Sequence, residues 1–299
     1  MSILKNVLIT GANSYIGTSL EKWISDKYST EISISTLDML NSDWREKDFL
    51  KYDCIFHVAG IAHVDVGNAT EESKNKYYSV NCDLAIETAK KAKAEGVKQF
   101  IFMSSAIVYG DSAPFGKRKV IKADTEPSPV NFYGDSKFQA DMKLRKLETD
   151  YFKIAVLRPP MIYGKGSKGN YPLLTKMAKH LPIFPNVENE RSMLYIDNLC
   201  EFLCQIILNE ERGLFFPQNA EYVKTSDMVK LIAEVSGHRI RVGREWNWVV
   251  MLASHIPGKV GKLTNKAFGN LVYDQSMSTY DFEYRVADFR ESIEKSEKE

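Results

Sequence analysis

The sequence predicts an α/β protein with a doubly wound parallel sheet, followed by a smaller C-terminal α/β lobe that binds the substrate. Through the first half, short β-branched apolar runs alternate with amphipathic helical stretches, as in a parallel sheet covered by helices on both faces. Beyond Arg158 the alternation loosens, because prolines break it into shorter elements. We therefore expect residues 1–165 to form the first domain and residues 166–299 mainly the second, with some strands or helices of the second half returning to the first sheet.

The first domain is predicted to contain five strands and three helices. The apolar runs place the strands at 6–10, 32–37, 54–59, 100–104 and 154–158, and the helical periodicity places helices at 15–24, 85–94 and 133–147. In the second half, a capped helix is predicted at 226–235 and a frayed charged end at 291–299. The apolar segment 246–257 is interpreted as a helix packed into the second lobe, in preference to a segment on a membrane surface.

Composition and charge exclude several classes of protein. The chain of 299 residues is 44% hydrophobic and 26% charged, which is typical of a globular protein. Its 40 Lys and Arg against 39 Asp and Glu leave no excess of positive charge for nucleic acid or an anionic membrane, so neither is expected as a partner. Because we find no signal-peptide pattern and no apolar run of about 20 residues, we expect a cytoplasmic protein.

Neither the cysteines nor the histidines have the spacing of metal ligands. The four cysteines include no CxxC pair, and the five histidines include no HxxxH pair. We therefore expect free thiols in the core and no metal site.

The first predicted strand leads directly into a turn with two glycines, Thr-Gly-Ala-Asn-Ser-Tyr-Ile-Gly at 10–17, which opens a helix. In a Rossmann-type fold, Gly11 makes the tight turn, Gly17 lets the helix lie close to the sheet, and the helix N-terminus binds a pyrophosphate. Ser14 stands where such turns usually have a middle glycine, and its hydroxyl could donate a hydrogen bond there instead. The strand before and the helix after favour dinucleotide binding over a plain turn.

An acidic residue follows the second predicted strand at the position expected for a ribose ligand. Asp38, about 20 residues past the turn, can accept hydrogen bonds from both ribose hydroxyls and would repel a 2′-phosphate, which favours NAD. Asp43 could instead contact the adenine side, and the nearby Arg45 keeps NADP open as the alternative.

A serine, a tyrosine and a lysine could carry out chemistry at the edge of the sheet. Tyr133 and Lys137 are four residues apart at the start of a helix, so their side chains share one face. Ser105 follows the fourth strand, at the carboxyl edge where ligands bind in open α/β sheets. We expect the Lys137 ammonium to lower the pKa of the Tyr133 phenol, so that Tyr133 exchanges a proton with a substrate hydroxyl that Ser105 holds.

Taken in order along the chain, these motifs resemble those of extended short-chain dehydrogenases/reductases, and more narrowly the NAD-dependent epimerase/dehydratase family. The resemblance covers about residues 5–210 and rests on the following motifs: Thr10-Gly-x5-Gly17, His57-Val-Ala-Gly60, Asn81, Ser104-Ser-Ala-Ile-Val-Tyr-Gly110, Tyr133-x3-Lys137, Arg158-Pro, Tyr163-Gly164 and Arg191-Ser-Met-Leu-Tyr-Ile-Asp197.

The resemblance implies roles for individual residues. Ser105, Tyr133 and Lys137 match the catalytic set, with Lys137 also holding the nicotinamide ribose. Asp38 matches the ribose acid, Ala59 flanks the cofactor, and Arg191 matches a residue that reaches the substrate diphosphate. The pyrophosphate turn is matched by Gly11, Asn13, Tyr15, Ile16 and Gly17.

The resemblance also narrows the reaction. Dehydratases of this family place an Asp-Glu pair after the active-site Ser/Thr, where this chain has Ala106 and Ile107. A nucleotide-sugar 4-epimerase, with a UDP-hexose or UDP-N-acetylhexosamine as substrate, is therefore favoured over a dehydratase. An NAD(P)H-dependent 4-keto-sugar reductase remains the alternative, because Met161 stands where many 4-epimerases have an asparagine that contacts the substrate.

A further alternative is a non-catalytic dinucleotide sensor, which would be expected to lack the tyrosine or the lysine. The resemblance also implies a role in polysaccharide biosynthesis and a homodimer, formed by the predicted helices near 85–95 and 133–147.

Overall fold

The computed structural model describes residues 4–62 and 70–298, and all their side chains except those of residues 259, 262 and 263. Among these residues, no helix is both long and apolar enough to cross a bilayer.

A six-stranded sheet, parallel throughout, forms the centre of the first half. Its order is β10-β6-β4-β3-β1-β2. The strands are β1 (Lys5–Thr10), β2 (Ile32–Leu37), β3 (Cys54–His57), β4 (Gln99–Met103), β6 (Lys153–Leu157) and β10 (Gly213–Phe215). The predicted doubly wound parallel sheet is therefore confirmed.

Helices cover both faces of this sheet, as the alternation along β1 requires. Val7 and Ile9 pack into the hydrophobic cluster shared with α1 and α6, whereas Leu8 packs into the cluster shared with α3 and α4. These helices are α1 (Tyr15–Lys27), α3 (Leu84–Ala94), α4 (Phe132–Arg145) and α6 (Ile196–Leu208), and α2 (Glu71–Tyr78) precedes α3.

The second half returns to this sheet and, together with short segments of the first half, builds a smaller lobe. Strand β10 pairs with β6 at the edge of the sheet, and Glu201 of α6 accepts a hydrogen bond from Trp23 Nε1 of α1 at 3.0 Å. The lobe contains three two-stranded pairs, β8–β11, β7–β9 and β5–β12. Their strands are β5 (Val120–Ile121), β7 (Met161–Tyr163), β8 (Ile183–Pro185), β9 (Met193–Tyr195), β11 (Arg241–Gly243) and β12 (Val272–Tyr273).

Five further helices complete the lobe: α5 (Asn170–His180), α7 (Thr225–Val235), α8 (Asn247–His255), α9 (Lys259–Phe268) and α10 (Phe289–Glu297). The helix predicted at 226–235 is present as α7, but it lacks the predicted cap. Its N-cap residue is Lys224, whose side chain makes no capping hydrogen bond.

The prediction that residues 291–299 are frayed is wrong for the described part, to which Glu299 does not belong. Asp288 and Glu291 form a reciprocal capping box that begins α10, and Ile293 is fully buried. Tyr163 and Ser292 share a hydrogen bond of 2.6 Å, which ties α10 to β7. Local capping and burial therefore outweigh the high charge of this segment.

The prediction that residues 246–257 pack into the lobe is also wrong for most of their side chains. The segment does form a helix, α8, but Val250 is its one buried side chain. Trp248 and Leu252 are 57% and 56% exposed. The apolar face of α8 therefore points away from the lobe.

The direction in which successive strands are added to the sheet reverses between β1 and β3, because β2 lies on one side of β1 and β3 lies on the other. In open α/β sheets, ligands bind outside the carboxyl ends of the strands at such a switch point. A β-carbon at Gly11, directly after β1, would lie 2.7 Å from the amide nitrogen of Ala59, after β3. At the switch point, the backbone after β1 and the backbone after β3 are therefore in close contact.

We expect Gly11→Ala to destabilise the chain by about 3 kcal/mol, because the methyl group meets backbone as well as a strained φ of +107°. The matched control is Gly116→Ala, which also has a positive φ (+76°) but nothing within 4 Å of the added carbon. That control should cost only about 1 kcal/mol. Urea unfolding measures the free energy of unfolding of both variants. If both lose the same amount, the backbone at Ala59 moves to make room for the methyl group and the account of Gly11 is wrong.

Candidate active site

The glycine turn after β1 is held by the end of β2. The amides of Gly11 and Ala12 both donate to the carbonyl of Leu37, at 2.9 and 3.3 Å. Asn13 has a left-handed φ of +62°, which directs the chain into α1. Because Leu37 precedes Asp38, these bonds bring the predicted ribose acid beside the predicted pyrophosphate turn.

Ser14 acts as the N-cap of α1. Its Oγ accepts a hydrogen bond from the amide of Gly17 at 3.1 Å, while its own hydroxyl hydrogen stays available to donate. The first amides of a helix have no intrahelical acceptor, so those of Tyr15 and Ile16 are left for an anion. A β-carbon at Gly17 would lie 3.3 Å from Ile9 Cγ2, so this glycine does let α1 lie against β1.

Tyr15 is half-buried, and its buried hydroxyl lies beside the loop that follows β7. Its hydroxyl has no hydrogen-bond partner among the described residues, and a β-carbon at Gly164 would lie 2.9 Å from it. Burial raises the pKa of Tyr15 well above its ordinary value. The side chain therefore offers a neutral hydroxyl close to the helix N-terminus.

Asp38 and Asp43, which follow β2, are both exposed, whereas the neighbouring Arg45 forms an ion pair. Asp38 is exposed, and its Oδ1 accepts from the amide of Leu40 at 2.9 Å. Asp43 is exposed in a 3-10 turn. Arg45 pairs with Glu87 through two nitrogens, with 2.6 Å between NH2 and Oε2, and stacks on Trp44.

Ser105, Tyr133 and Lys137 come together at the carboxyl end of β4. Ser105 caps a short 3-10 turn by accepting from the amide of Ile107 at 3.3 Å. Asn131 caps α4 by accepting from Gly134, which places Tyr133 in the first turn of the helix. One turn later, Lys137 Nζ donates to the carbonyl of Met103, the last residue of β4, at 2.9 Å.

The pKa of Tyr133 differs from the expectation. Burial raises it to about 12, the hydroxyl of Ser105 lowers it by hydrogen bonding, and Lys137 does not contribute. The expected lowering by Lys137 is therefore wrong for the free chain. The reason is the direction of the lysine, whose ammonium is bound to Met103 and lies 4.8 Å from the centre of the Phe102 ring.

The ammonium of Lys137 is itself in an unfavourable environment. The side chain is only 6% exposed, and burial lowers its pKa to about 8. Its neighbour His57 is fully buried and shares a hydrogen bond of 2.8 Å with Thr10 Oγ1. Burial and Lys137 together lower the pKa of His57 to about 3, so His57 is neutral.

Asn81 is a positioning residue whose role the sequence analysis did not assign. It lies in a π-helical turn between α2 and α3. Its side chain accepts from the amide of Ile61 at 2.8 Å and donates to the carbonyl of Ile61 and to Ser136 Oγ. Asn81 thereby ties the loop after β3 to α4. Periodicity could not reveal the turn, because a π turn interrupts the 3.6-residue repeat.

Besides Ser105, the other two predicted substrate residues lie on neighbouring segments. Met161 pairs with Met193 in the β7–β9 ladder, two residues beyond Arg191. The amide of Ala106 donates to the carbonyl of Pro159 at 2.9 Å, which brings this ladder next to Ser105. Arg191 is nearly buried, and burial lowers its pKa to about 10. Its NH1 donates to the carbonyl oxygens of Lys266 and Gly269, at 2.6 and 3.3 Å.

The cysteines and histidines have no functional grouping among the residues described. Cys54, Cys82, Cys200 and Cys204 are all buried free thiols, as expected. Within residues 4–62 and 70–298, no three His, Cys, Asp or Glu side chains are grouped so that they could hold a metal ion, and His63 lies outside these ranges.

The crevice fits a dinucleotide. A β-carbon at Gly60 would lie 3.1 Å from Lys137 Nζ, so this glycine keeps the wall beside the ammonium open. In the part of the chain described, the hydroxyls of Tyr15 and Ser104 are buried without partners. Together with the amides that open α1, these hydroxyls are polar groups that a bound dinucleotide can use as hydrogen-bond partners.

A sequence profile decides the family. Residues 7–215 match the NAD dependent epimerase/dehydratase family. The chain belongs to this family. It is therefore an enzyme of an NAD-dependent family, and the extended short-chain dehydrogenase/reductase resemblance is confirmed.

Individual relatives of this family member include two 4-epimerases. The chain is 27% identical over 253 residues to a UDP-glucose 4-epimerase of Vibrio cholerae, across 77% of this chain and 75% of the relative. It is 30% identical over 256 residues to an N-acetyl-alpha-D-glucosaminyl-diphospho-ditrans,octacis-undecaprenol 4-epimerase of Escherichia coli O157:H7, across 77% and 71%. A crystal structure of a dTDP-4-dehydrorhamnose reductase from Clostridium acetobutylicum shares the fold, with a TM-score of 0.71 at 17% identity over 97% of this chain and 98% of that one.

We expect Lys137→Met to stabilise the fold at pH 7 by about 2 kcal/mol, because it removes a buried ammonium whose pKa is lowered to about 8. The unfolded chain binds this proton up to about pH 10.4. The cost of burying the charge is therefore full below pH 8 and disappears as the pH rises toward 10.4. The stability difference between the variant and the natural chain should shrink across that window.

Urea unfolding at pH 7 and pH 9.5 measures this difference. Lys143→Met, an exposed position on the same helix, is the matched control and should show no such dependence. A Lys137→Met chain that is less stable at pH 7 would contradict the account, since the hydrogen bond to Met103 would then outweigh the burial of charge.

Proposed function

We propose that this protein is an NAD-dependent 4-epimerase acting on a sugar diphosphate, with a UDP-hexose or UDP-N-acetylhexosamine as the first substrate to test. The observation that carries the proposal is that Ser105, Tyr133 in the first turn of α4, and the ammonium of Lys137 all lie at the carboxyl end of β4. Such a set can move a proton on and off a sugar hydroxyl next to a hydride acceptor.

Two apolar residues beside Ser105 argue against dehydration. Ala106 and Ile107 open the 3-10 turn after Ser105, where an eliminating enzyme of this family would need an acid and a base. Ala106 is buried at 6% exposure. The position therefore offers no group that could remove a proton from the carbon next to a keto group.

Ser105, Tyr133 and Lys137 each have a role in the proposed reaction at the sugar C4 oxygen. NAD, when bound, supplies the hydride chemistry at C4. The Ser105 hydroxyl orients the C4 oxygen. As a phenolate, Tyr133 accepts the proton of the C4 hydroxyl when the sugar is oxidised, and as a phenol it returns this proton to the keto oxygen when the sugar is reduced. Because burial raises the pKa of Tyr133 to about 12 in the free chain, forming the phenolate requires a stabilising cation. Lys137, fixed to Met103, provides a cation for the ribose hydroxyls and for a phenolate while the proton is away.

The surroundings of β2 support NAD over NADP. Asp38 stands beside the glycine turn, where a 2′-phosphate would meet its negative charge. Arg45, which could otherwise neutralise such a phosphate, is paired with Glu87. An enzyme that oxidises and then reduces the same sugar needs no external reductant, which agrees with a preference for NAD.

A 4-keto-sugar reductase is the second candidate, and Met161 is the observation that favours it. A methionine at this position offers no hydrogen bond to a sugar that must turn over between two faces. The group to which the sugar is attached also has two candidates. The Vibrio cholerae relative is named for a nucleotide-linked sugar, and the Escherichia coli relative is named for a polyprenol-linked sugar. Both substrates share a sugar joined to a diphosphate, which is the group that Arg191 would bind.

One assay separates these candidates. The purified protein is incubated with UDP-glucose, UDP-N-acetylglucosamine or N-acetylglucosaminyl-diphospho-undecaprenol, without added NAD(P)H, and the sugars are separated by chromatography. Epimerisation at C4 in at least one arm is the expected result. If no arm shows interconversion but the protein consumes NAD(P)H when a 4-keto nucleotide sugar is added, the epimerase assignment is wrong and the protein is the reductase.

Tyr133→Phe should lower turnover by about a thousandfold and leave NAD binding unchanged, because it removes the proton donor and keeps the ring. Tyr77→Phe is the matched control, since the Tyr77 ring lies 6.1 Å from that of Tyr133 and its hydroxyl has no hydrogen-bond partner among the described residues. It should keep nearly full turnover. A Tyr133→Phe chain with normal turnover would remove Tyr133 from the chemistry.

Asp38→Ser should weaken NAD binding by about tenfold, as expected for losing hydrogen bonds from both ribose hydroxyls to a charged group, and should strengthen NADP binding. Asp48→Ser is the matched control, because Asp48 likewise accepts from the amide two residues on, at 2.8 Å to Leu50. Titration calorimetry with both cofactors measures the change. If Asp38→Ser leaves the NAD to NADP ratio unchanged, Asp38 is not the ribose ligand.

A further inference from the structure

The outward face of α8 is apolar. Trp248, Met251 and Leu252 have i, i+3, i+4 spacing and are 57%, 44% and 56% exposed. In a helix packed on a globular lobe, a stripe with this spacing faces the core. The stripe on α8 faces the opposite way, while the buried Val250 and a hydrogen bond of 2.8 Å from Asn247 Nδ2 to the carbonyl of Asn186 hold the helix from beneath.

The exposed apolar surface continues on both sides of α8. Trp246 precedes the helix and Ile256 follows it, and both are exposed. An apolar groove lies between α8 and β8, lined by Ile183, Pro185, Trp246, Val249 and Val250. We call the exposed residues Trp246, Trp248, Met251, Leu252 and Ile256 the α8 patch. A contiguous patch of this kind on a protein surface marks an interaction site.

The charge of the surrounding segment indicates what the α8 patch contacts. Residues 239–268 contain six Lys and Arg and one acidic residue, Glu245, so the other 269 residues carry 34 Lys and Arg against 38 Asp and Glu. The overall balance of the chain therefore conceals a strongly basic segment. Arg241 and Arg244 are 77% and 75% exposed, in surface ion pairs with Glu245 and Glu188 that are weak in water.

Although α8 itself contains no Lys or Arg, its exposed tryptophan and leucine between two basic segments fit a surface that rests on a membrane interface. We propose that the α8 patch docks this protein on a bilayer surface that carries anionic phospholipids. The apolar side chains enter the boundary between headgroups and acyl chains, and the basic segment meets the lipid phosphates. This proposal differs from the expectation that the chain has no membrane partner, which rested on the overall charge and on packing of this segment.

The α8 patch is connected to the candidate active site through α9. Asn265 Nδ2 of α9 donates to the carbonyl of Ser254 in α8, at 3.1 Å. At the same end of α9, the carbonyls of the next residue, Lys266, and of Gly269 accept hydrogen bonds from Arg191. A membrane that holds α8 would therefore also hold the segment that carries Arg191, and would orient the site toward substrates at the bilayer surface.

Vesicle binding tests the proposal independently of the reaction. The full chain is sedimented with vesicles of equimolar phosphatidylglycerol and phosphatidylcholine, and with vesicles of phosphatidylcholine alone. We expect binding to the anionic vesicles, weakened by salt, and at least about tenfold weaker binding by Trp248→Asp/Leu252→Asp. Because the readout is sedimentation, failure of the epimerase assay would leave this result standing.

A charge-matched control is Leu50→Asp/Tyr151→Asp, at positions 72% and 89% exposed outside the α8 patch, which should bind like the natural chain. Trp248→Ser provides a milder variant if the double variant does not fold, and thermal unfolding checks both. No binding of the natural chain to anionic vesicles, or equal binding by the patch variants, would overturn the proposal. So would a dimer of the natural chain that the patch variants convert to a monomer, since the α8 patch would then join two copies.

Discussion

The arrangement of the site depends on one buried ammonium. Lys137 Nζ donates to the carbonyl of Met103 and so fixes the first turns of α4 to the end of β4. Tyr133, one turn earlier in α4, is therefore held at the same carboxyl end of β4 that Ser105 follows. The environment is unfavourable for a charge, as the lowered pKa of Lys137 indicates, and the neutral His57 beside it does not compensate. The buried ammonium of Lys137 therefore lowers the stability of the fold, as is common where catalytic geometry requires a buried charge.

The second constraint is the crowding at the switch point between β1 and β3. Gly11 approaches the backbone of Ala59 too closely for any side chain, and Gly60 leaves room beside Lys137 for the same reason. Asn81 holds the loop after β3 against α4 through Ile61 and Ser136. Three separate elements are thus brought to one crevice by the close backbone approach at Gly11 and by the buried side chain of Asn81.

Much of the first half could be predicted from periodicity, because each strand is an apolar run bounded by polar turns. The predicted 32–37 coincides with β2, and β1, α1 and β4 begin within one residue of their predicted starts. The π turn at Asn81 was not predictable from a regular repeat. The direction of α8 was not either, since spacing reveals an apolar face but not what covers it. The sequence did contain the capping signal Asp288-x-x-Glu291, which outweighs the charge of α10.

The site residues could be predicted by type and position, but their electrostatics could not. Sequence gives no burial, so the raised pKa of Tyr133 and the bonds of Arg191 to the end of α9 emerge only from the fold. The central claim is that Ser105, Tyr133 and Lys137 support oxidation and reduction of one sugar carbon within one site. Turnover of a UDP-hexose or UDP-N-acetylhexosamine that carries deuterium at C4 tests it most directly. The account predicts a 4-epimer that retains the deuterium at C4, whereas a 4-epimer that has exchanged it for hydrogen would contradict it.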